Sequence, residues 1–161
     1  MGVDVRPSVL VRRPRTEVAG FMFDPANDQR WTGGITSSRP AQDGPLVTGS
    51  TVERTARFMG RTFTYGYVVT GYEPDRLVEM TVQRPFPMTI RYELSDPDAD
   101  AEGGTMVAIH AAGTPGRFFG WASPLMTRQV RKNIAADLGR LRSCLEHRTP
   151  GTPQGDHARG S

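Results

Sequence analysis

Through the middle of the chain, apolar and polar residues alternate with a period of two. From Thr51 to Phe58 the residues Val52, Arg54, Ala56 and Phe58 share one parity, against Thr51, Glu53, Thr55 and Arg57 on the other. Met59-Gly60 then supplies a turn, and Phe63, Tyr65, Tyr67 and Val69 alternate with Thr62, Thr64, Gly66 and Val68. Such alternation predicts an antiparallel hairpin with one apolar, aromatic face. Glu73-Pro74-Asp75-Arg76 reads as a second turn, Leu77 to Gln83 as a strand, and Arg84-Pro85-Phe86-Pro87 as a stiff connection. A further hairpin places Met88, Ile90, Tyr92 and Leu94 on one parity. The acidic, glycine-closed loop from Ser95 to Gly104 separates them from Thr105, Val107, Ile109 and Ala111.

The period changes at both ends. From Ser123-Pro124-Leu125 to Leu145-Glu146, Val130, Ile134, Leu138, Leu141 and Leu145 recur at spacings of three and four, which predicts one long helix with a single apolar stripe. Ser123 reads as its N-cap and Pro124 as its first residue, where a missing N–H costs nothing. Such a helix after so many strands needs a sheet to cover its stripe. Near the N-terminus, Val5 to Arg12 predicts a first strand, and Pro14 opens a short helix over Arg15 to Phe23 with Val18, Phe21 and Met22 on one face. Asp24-Pro25 ends that helix. Asn27 to Trp31 predicts a further helical turn with Trp31 as a buried anchor. Beyond Arg148 no apolar residue is larger than alanine, so residues 148–161 read as a disordered tail and residues 1–147 as one domain.

Composition narrows the function classes. The chain of 161 residues carries a net charge of +3, and its basic residues are nearly all arginine, Lys132 being the one lysine. These arginines run the whole length and are matched by acids such as Glu53, Glu79, Glu93 and Asp137, unlike the concentrated basic face of a nucleic-acid binder. The one tight cluster, Arg12-Arg13-Pro14-Arg15, reads as a solvated turn or as a phosphate contact. Cys144 stands alone, so no intramolecular disulfide forms, which points to a cytoplasmic location. There is no signal-like or membrane-spanning apolar run. His110, His147 and His157 are scattered, and no ligand spacing for a metal appears. Glycine-rich nucleotide motifs are absent, and no Ser/His/Asp triad can be placed. No cofactor is therefore expected.

The order of elements and several short motifs carry a resemblance. Phe23-Asp24-Pro25 followed by Trp31, then Thr48-Gly49-Ser50-Thr51, Tyr72-Glu73-Pro74-Asp75-Arg76-Leu77, Arg91-Tyr92-Glu93-Leu94, Gly103-Gly104-Thr105-Met106-Val107 and Asp137-Leu138-Gly139-Arg140-Leu141 resemble landmarks of the polyketide cyclase/dehydrase branch of the SRPBCC (START-like) superfamily. The resemblance covers residues 5 to 147. It implies an α+β helix-grip fold: a curved antiparallel sheet of about seven strands around the long C-terminal helix, two short helices after the first strand, and a hydrophobic cavity between sheet and helix. Function varies across the superfamily, from polyketide cyclisation to lipid and hormone binding, and no catalytic signature spans it. The implied partner is a small hydrophobic ligand, which the protein either cyclises or dehydrates, as a polyketide, or merely carries.

Strand parity selects the residues that would face such a cavity: Val52, Phe58, Phe63, Tyr65, Ile90, Tyr92, Val107 and Ile109, joined by Ile134 from the helix. Arg54 shares their face. A guanidinium there either snorkels to water from a sheet edge or anchors a ligand carbonyl or carboxylate. Asp137, at the margin of the helix stripe, is either a half-exposed acid, the partner of Arg54, or a general base raised by burial. Tyr67, with its neighbours, offers a hydroxyl to polarise a carbonyl or simply packs. Together Arg54, Asp137 and Tyr67 form the candidate catalytic set. Phe119 and Trp121, in the run Phe118-Phe119-Gly120-Trp121, read as core or as a lid at the cavity mouth. His110, of opposite parity, is expected on the outer face. Arg128, Arg131, Lys132 and Arg142 form a basic helix face that leaves docking to a membrane surface as a third reading.

Overall fold

In the computed structural model, which describes residues 2–97, 103–114 and 124–147, the strands form one antiparallel sheet. In chain order the elements are β1 (Val3–Val5), β2 (Ser8–Val11), α1 (Arg15–Met22), a 3₁₀ turn (Pro25–Asn27), α2 (Asp28–Trp31), β3 (Ile35–Pro40), β4 (Thr51–Phe58), β5 (Arg61–Glu73), β6 (Leu77–Val82), β7 (Met88–Ser95), β8 (Thr105–Gly113) and α3 (Pro124–Glu146). Across the sheet the order is β1-β8-β7-β6-β5-β4-β3, with β2 also paired to β8.

The expected single first strand is two short ones. Both keep one register on β8, Val5 opposite Ala111 and Ser8 opposite Ala108. Pro7 interrupts them because it has no N–H for the ladder, although its carbonyl still accepts from the Ile109 N–H at 3.1 Å. The sheet therefore has seven strand positions. Met59 and Gly60 both have positive φ, 50° and 78°, as a two-residue type I′ hairpin between β4 and β5 requires. Register shifts between Ile35 and Ser37 and between Val69 and Gly71 add the bulges that help a sheet curl.

The stripe of α3 divides along its length. Leu138, Leu141 and Leu145 are fully buried in the main core with Val11, Val18, Trp31 and Val107, and each contributes roughly 1.5–3 kcal/mol of burial. Towards its N-terminal half, Val130 and Ile134 are only partly buried and pack on a smaller cluster of Val3, Val5, Ala111 and Met126. That looser half stands over an open space.

The N-terminal arginine cluster holds the end of this helix. Arg13 donates from Nε to the Leu145 carbonyl at 3.0 Å and from Nη2 to that of Glu146 at 2.9 Å, satisfying carbonyls that have no partner inside the helix. Arg15 pairs with Asp96 at 2.8 Å. No helix among the described residues is long and apolar enough to cross a membrane. The expected N-cap Ser123 and the tail 148–161 lie outside the described residues.

Candidate functional site

A cavity of about 480 Å³ opens between the concave face of the sheet and α3. Its sheet wall comes from alternate residues of four strands: Arg54, Ala56 and Phe58 of β4, Phe63 and Tyr65 of β5, Met88, Ile90 and Tyr92 of β7, and Ile109 and Ala111 of β8. Trp31 of α2 and Val130, Ile134 and Asp137 of α3 close the other side. Gly33, Arg57, Asn133, Ala136 and Arg140 border the cavity towards solvent, so it opens between the α2–β3 connection, the β4–β5 hairpin and the middle of α3.

Among the described residues, Arg54 is the charged group of the sheet wall that is buried, at 3% exposed, whereas Arg57 lies at the solvent edge. Three adjacent strands set its surroundings, because Ser38 of β3 and Tyr65 of β5 lie directly opposite it. Its charge is balanced by Asp28, itself 1% exposed. Oδ2 of Asp28 accepts from Arg54 Nε at 2.9 Å and from Ser38 Oγ at 2.7 Å, and lies 2.8 Å from Arg54 Nη2. The guanidinium sits over the Tyr67 ring, 4.8 Å from its centroid. Nη2 also donates to the Tyr92 hydroxyl at 3.3 Å. A guanidinium has five N–H donors; those on Nη1 have no partner among the described residues.

This cluster fixes the protonation states. Burial works against the charged form of Arg54, but Tyr92, Asp28 and the other two tyrosines more than offset it, and the guanidinium stays charged. Burial pushes the Tyr92 hydroxyl up to about 12, with Arg54 pulling the other way. Tyr67 is raised for the same reason. Both phenols are donors at neutral pH. Tyr92 takes a hydrogen bond from Arg54 with its oxygen, which leaves its own proton for another acceptor.

Asp137 does not meet Arg54. It accepts from the Gly33 N–H at 2.9 Å and pairs with Arg140, one turn further along α3. Arg140 also donates to the Trp31 carbonyl at 3.0 Å, and the Cys144 thiol lies 3.5 Å from the Arg30 carbonyl. One face of α3 thus clasps the end of α2. A Cβ at Gly33 would lie 2.5 Å from Arg140 Nη2, so a side chain there would require the Arg140 guanidinium to move. Burial raises the Asp137 carboxyl above the usual aspartate range, against the opposing pull of the Gly33 N–H and Arg140.

Of the residues selected by sequence parity, Arg54, Phe58, Phe63, Tyr65, Ile90, Tyr92, Ile109, Ile134 and Asp137 border the cavity. Val52, Tyr67 and Val107 do not border it and are buried in the main core. The Tyr67 hydroxyl has no hydrogen-bond partner among the described residues. Phe119 and Trp121 lie outside the described residues. His110 is paired with Asp4 at 2.7 Å, on the face away from the cavity lining. Of the readings open for Asp137, partnership with Arg54 is excluded, because the partner of Arg54 is Asp28. Asp28 precedes Trp31 by three residues, which puts both on one face of a helical turn, and that spacing was the available signal. No group of three or more potential metal ligands occurs among the described residues.

The family model described as "Polyketide cyclase / dehydrase and lipid transport" matches residues 2–146. Among solved structures, the Zhui aromatase/cyclase from Streptomyces sp. R1128 is 16% identical with a TM-score of 0.70, covering 91% of this chain and 94% of that one. A START superfamily protein from Mycobacterium smegmatis superposes with a TM-score of 0.71 at 12% identity, covering 89% and 97%. The protein TTHA0849 from Thermus thermophilus gives the same values. No match was found among curated proteins.

Proposed function

Because this chain belongs to the polyketide cyclase/dehydrase and lipid transport family, whose helix-grip fold is built to take hydrophobic ligands, we propose that it binds a small, mostly apolar molecule bearing an oxygen acceptor. The observation that carries this reading is the apolar cavity of about 480 Å³ whose sheet wall presents Arg54 and Tyr92. Aliphatic and aromatic walls supply affinity by burial, and a few fixed polar groups supply orientation. The ligand oxygen accepts from Arg54 Nη1 and from the Tyr92 hydroxyl proton, neither of which has a partner among the described residues. Native mass spectrometry of the purified protein tests the reading: a bound, largely apolar small molecule supports it, and a highly polar one contradicts it.

A second reading adds chemistry to the same pocket, and Asp137 favours it. A carboxyl on the cavity wall with a raised pKa is a general base for removing a proton next to a carbonyl, as aldol cyclisation and dehydration require. Arg54 and Tyr92 then stabilise the enolate oxygen that develops. In this mechanism Asp137→Asn lowers turnover of a poly-β-ketone substrate by about 100-fold or more while binding persists. A carrier instead releases its ligand unchanged, with no effect of Asp137→Asn on its fate.

A further inference from the structure

The charge balance inside the cavity wall is a selection device. We propose that Asp28 makes the pocket specific for uncharged ligands, a ketone or phenol oxygen being accepted and a carboxylate of the same shape being rejected. The inference deepens the binding reading and rests on it.

Arg54 alone would favour an anion strongly, since a buried guanidinium without a counter-charge attracts the nearest carboxylate. Asp28 already occupies that role. Its Oδ2 takes Arg54 Nε at 2.9 Å and lies 2.8 Å from Nη2, and Ser38 Oγ fixes it from the third side at 2.7 Å. Both members are almost fully buried, so Arg54, which borders the cavity, has its charge neutralised from behind the wall by Asp28. The carboxylate that does border the cavity, Asp137, is likewise paired, with Arg140. Arg57 borders the cavity but is exposed to solvent, which screens it. Among the described residues, the buried cation facing the ligand, Arg54, is therefore already paired within the protein. An entering carboxylate would add a net negative charge to a low-dielectric space beside the Asp28 anion, losing its hydration without a free cation in return. A neutral carbonyl loses far less and still receives the Arg54 Nη1 and Tyr92 donors.

Two isosteres test this directly: 2-acetylnaphthalene, a neutral ketone, and 2-naphthoate, its anionic counterpart. Isothermal titration at pH 7 with the wild-type chain should show the ketone binding at least tenfold more tightly than the carboxylate. Asp28→Asn frees the Arg54 charge and should shift that ratio at least tenfold towards the carboxylate. Equal or tighter wild-type binding of 2-naphthoate overturns the inference, as does an unchanged ratio in a folded Asp28→Asn. Should that variant not fold, titration of the wild type in buffers of different ionisation enthalpy at pH 6 decides the matter. Any 2-naphthoate entering the neutral pocket should then take up a proton from solution, and binding without proton uptake overturns the inference. Tight binding of both compounds without discrimination refutes only the role of Asp28. Failure of both to bind refutes the binding reading as well.

Discussion

If Arg54 and Asp28 form a desolvated pair, breaking it from either side should cost much more than removing it whole. At 2.8 Å, with an effective dielectric constant of about 20, their attraction is about 6 kcal/mol. Against it stands a desolvation penalty of several kcal/mol for each ion. Arg54→Met leaves the Asp28 carboxylate buried with Ser38 as its remaining donor, and Asp28→Asn leaves a guanidinium with no counter-charge. Each should cost about 3–5 kcal/mol, a large part of the stability of a domain this size. The double variant buries no charge at all. Its loss should fall short of the sum of the two single losses by at least about 2 kcal/mol, well beyond ordinary non-additivity. Urea unfolding at pH 7 measures all four corners of the cycle, with the m-values checked for constancy. Where a single variant is unfolded and the double variant folds, the rescue itself reports the coupling. Single losses below about 1 kcal/mol, or strict additivity, would show that water reaches the pair and would refute the argument from burial.

Other consequences follow from the packing and the titrating groups. Leu141→Ala, at a fully buried position of α3, should cost about 2–5 kcal/mol in the same unfolding assay, because the helix is held against the sheet by that contact. Ala111→Trp puts an indole into the cavity between Val3, Ile90 and Val130, and should weaken 2-acetylnaphthalene binding at least tenfold by titration. Carbon-13 NMR should find the Asp137 carboxyl titrating above the free aspartate value of about 3.9, and Arg140→Gln should move it higher still, since Arg140 pulls it down. The folded chain then holds the extra proton in that window, so the contribution of Asp137 to stability falls as pH rises from the free aspartate range through the raised midpoint. If Asp137 acts as a base, kcat/KM rises with pH through the same midpoint.

What was legible in the sequence was whatever depends on local period. The parity of β4, β5, β7 and β8 put Arg54, Tyr65, Tyr92 and Ile109 on one face, and the three-four spacing of α3 put Ile134 and Leu141 on one stripe. Parity says which face a residue takes, but not how far along the strand the cavity ends. Tyr65 and Tyr67 have the same parity, yet Tyr65 borders the cavity and Tyr67 lies in the core. The α3 stripe behaves alike: Leu141 meets packed side chains, while Val130 and Ile134 face open space. An empty volume is set by the distance between elements far apart in sequence, and no local period encodes it. The Arg54–Asp28 pair joins residues 26 apart on different elements. Parity put Arg54 on the inner face but left open whether it snorkels to water or finds a partner, and only the three-residue step from Asp28 to Trp31 hinted at which partner. Asp137 was placed at the edge of the stripe, and its actual contacts, Gly33 and Arg140, depend on the docking of α2 against α3.

A crystal structure of the chain soaked with 2-acetylnaphthalene tests the central claim most directly. The naphthalene ring should lie between Ile90, Ile109 and Ile134, with the ketone oxygen within hydrogen-bond distance of Arg54 Nη1 or the Tyr92 hydroxyl. A ring bound on the outer surface, or one inside the cavity with its oxygen turned away from Arg54 and Tyr92, would contradict it.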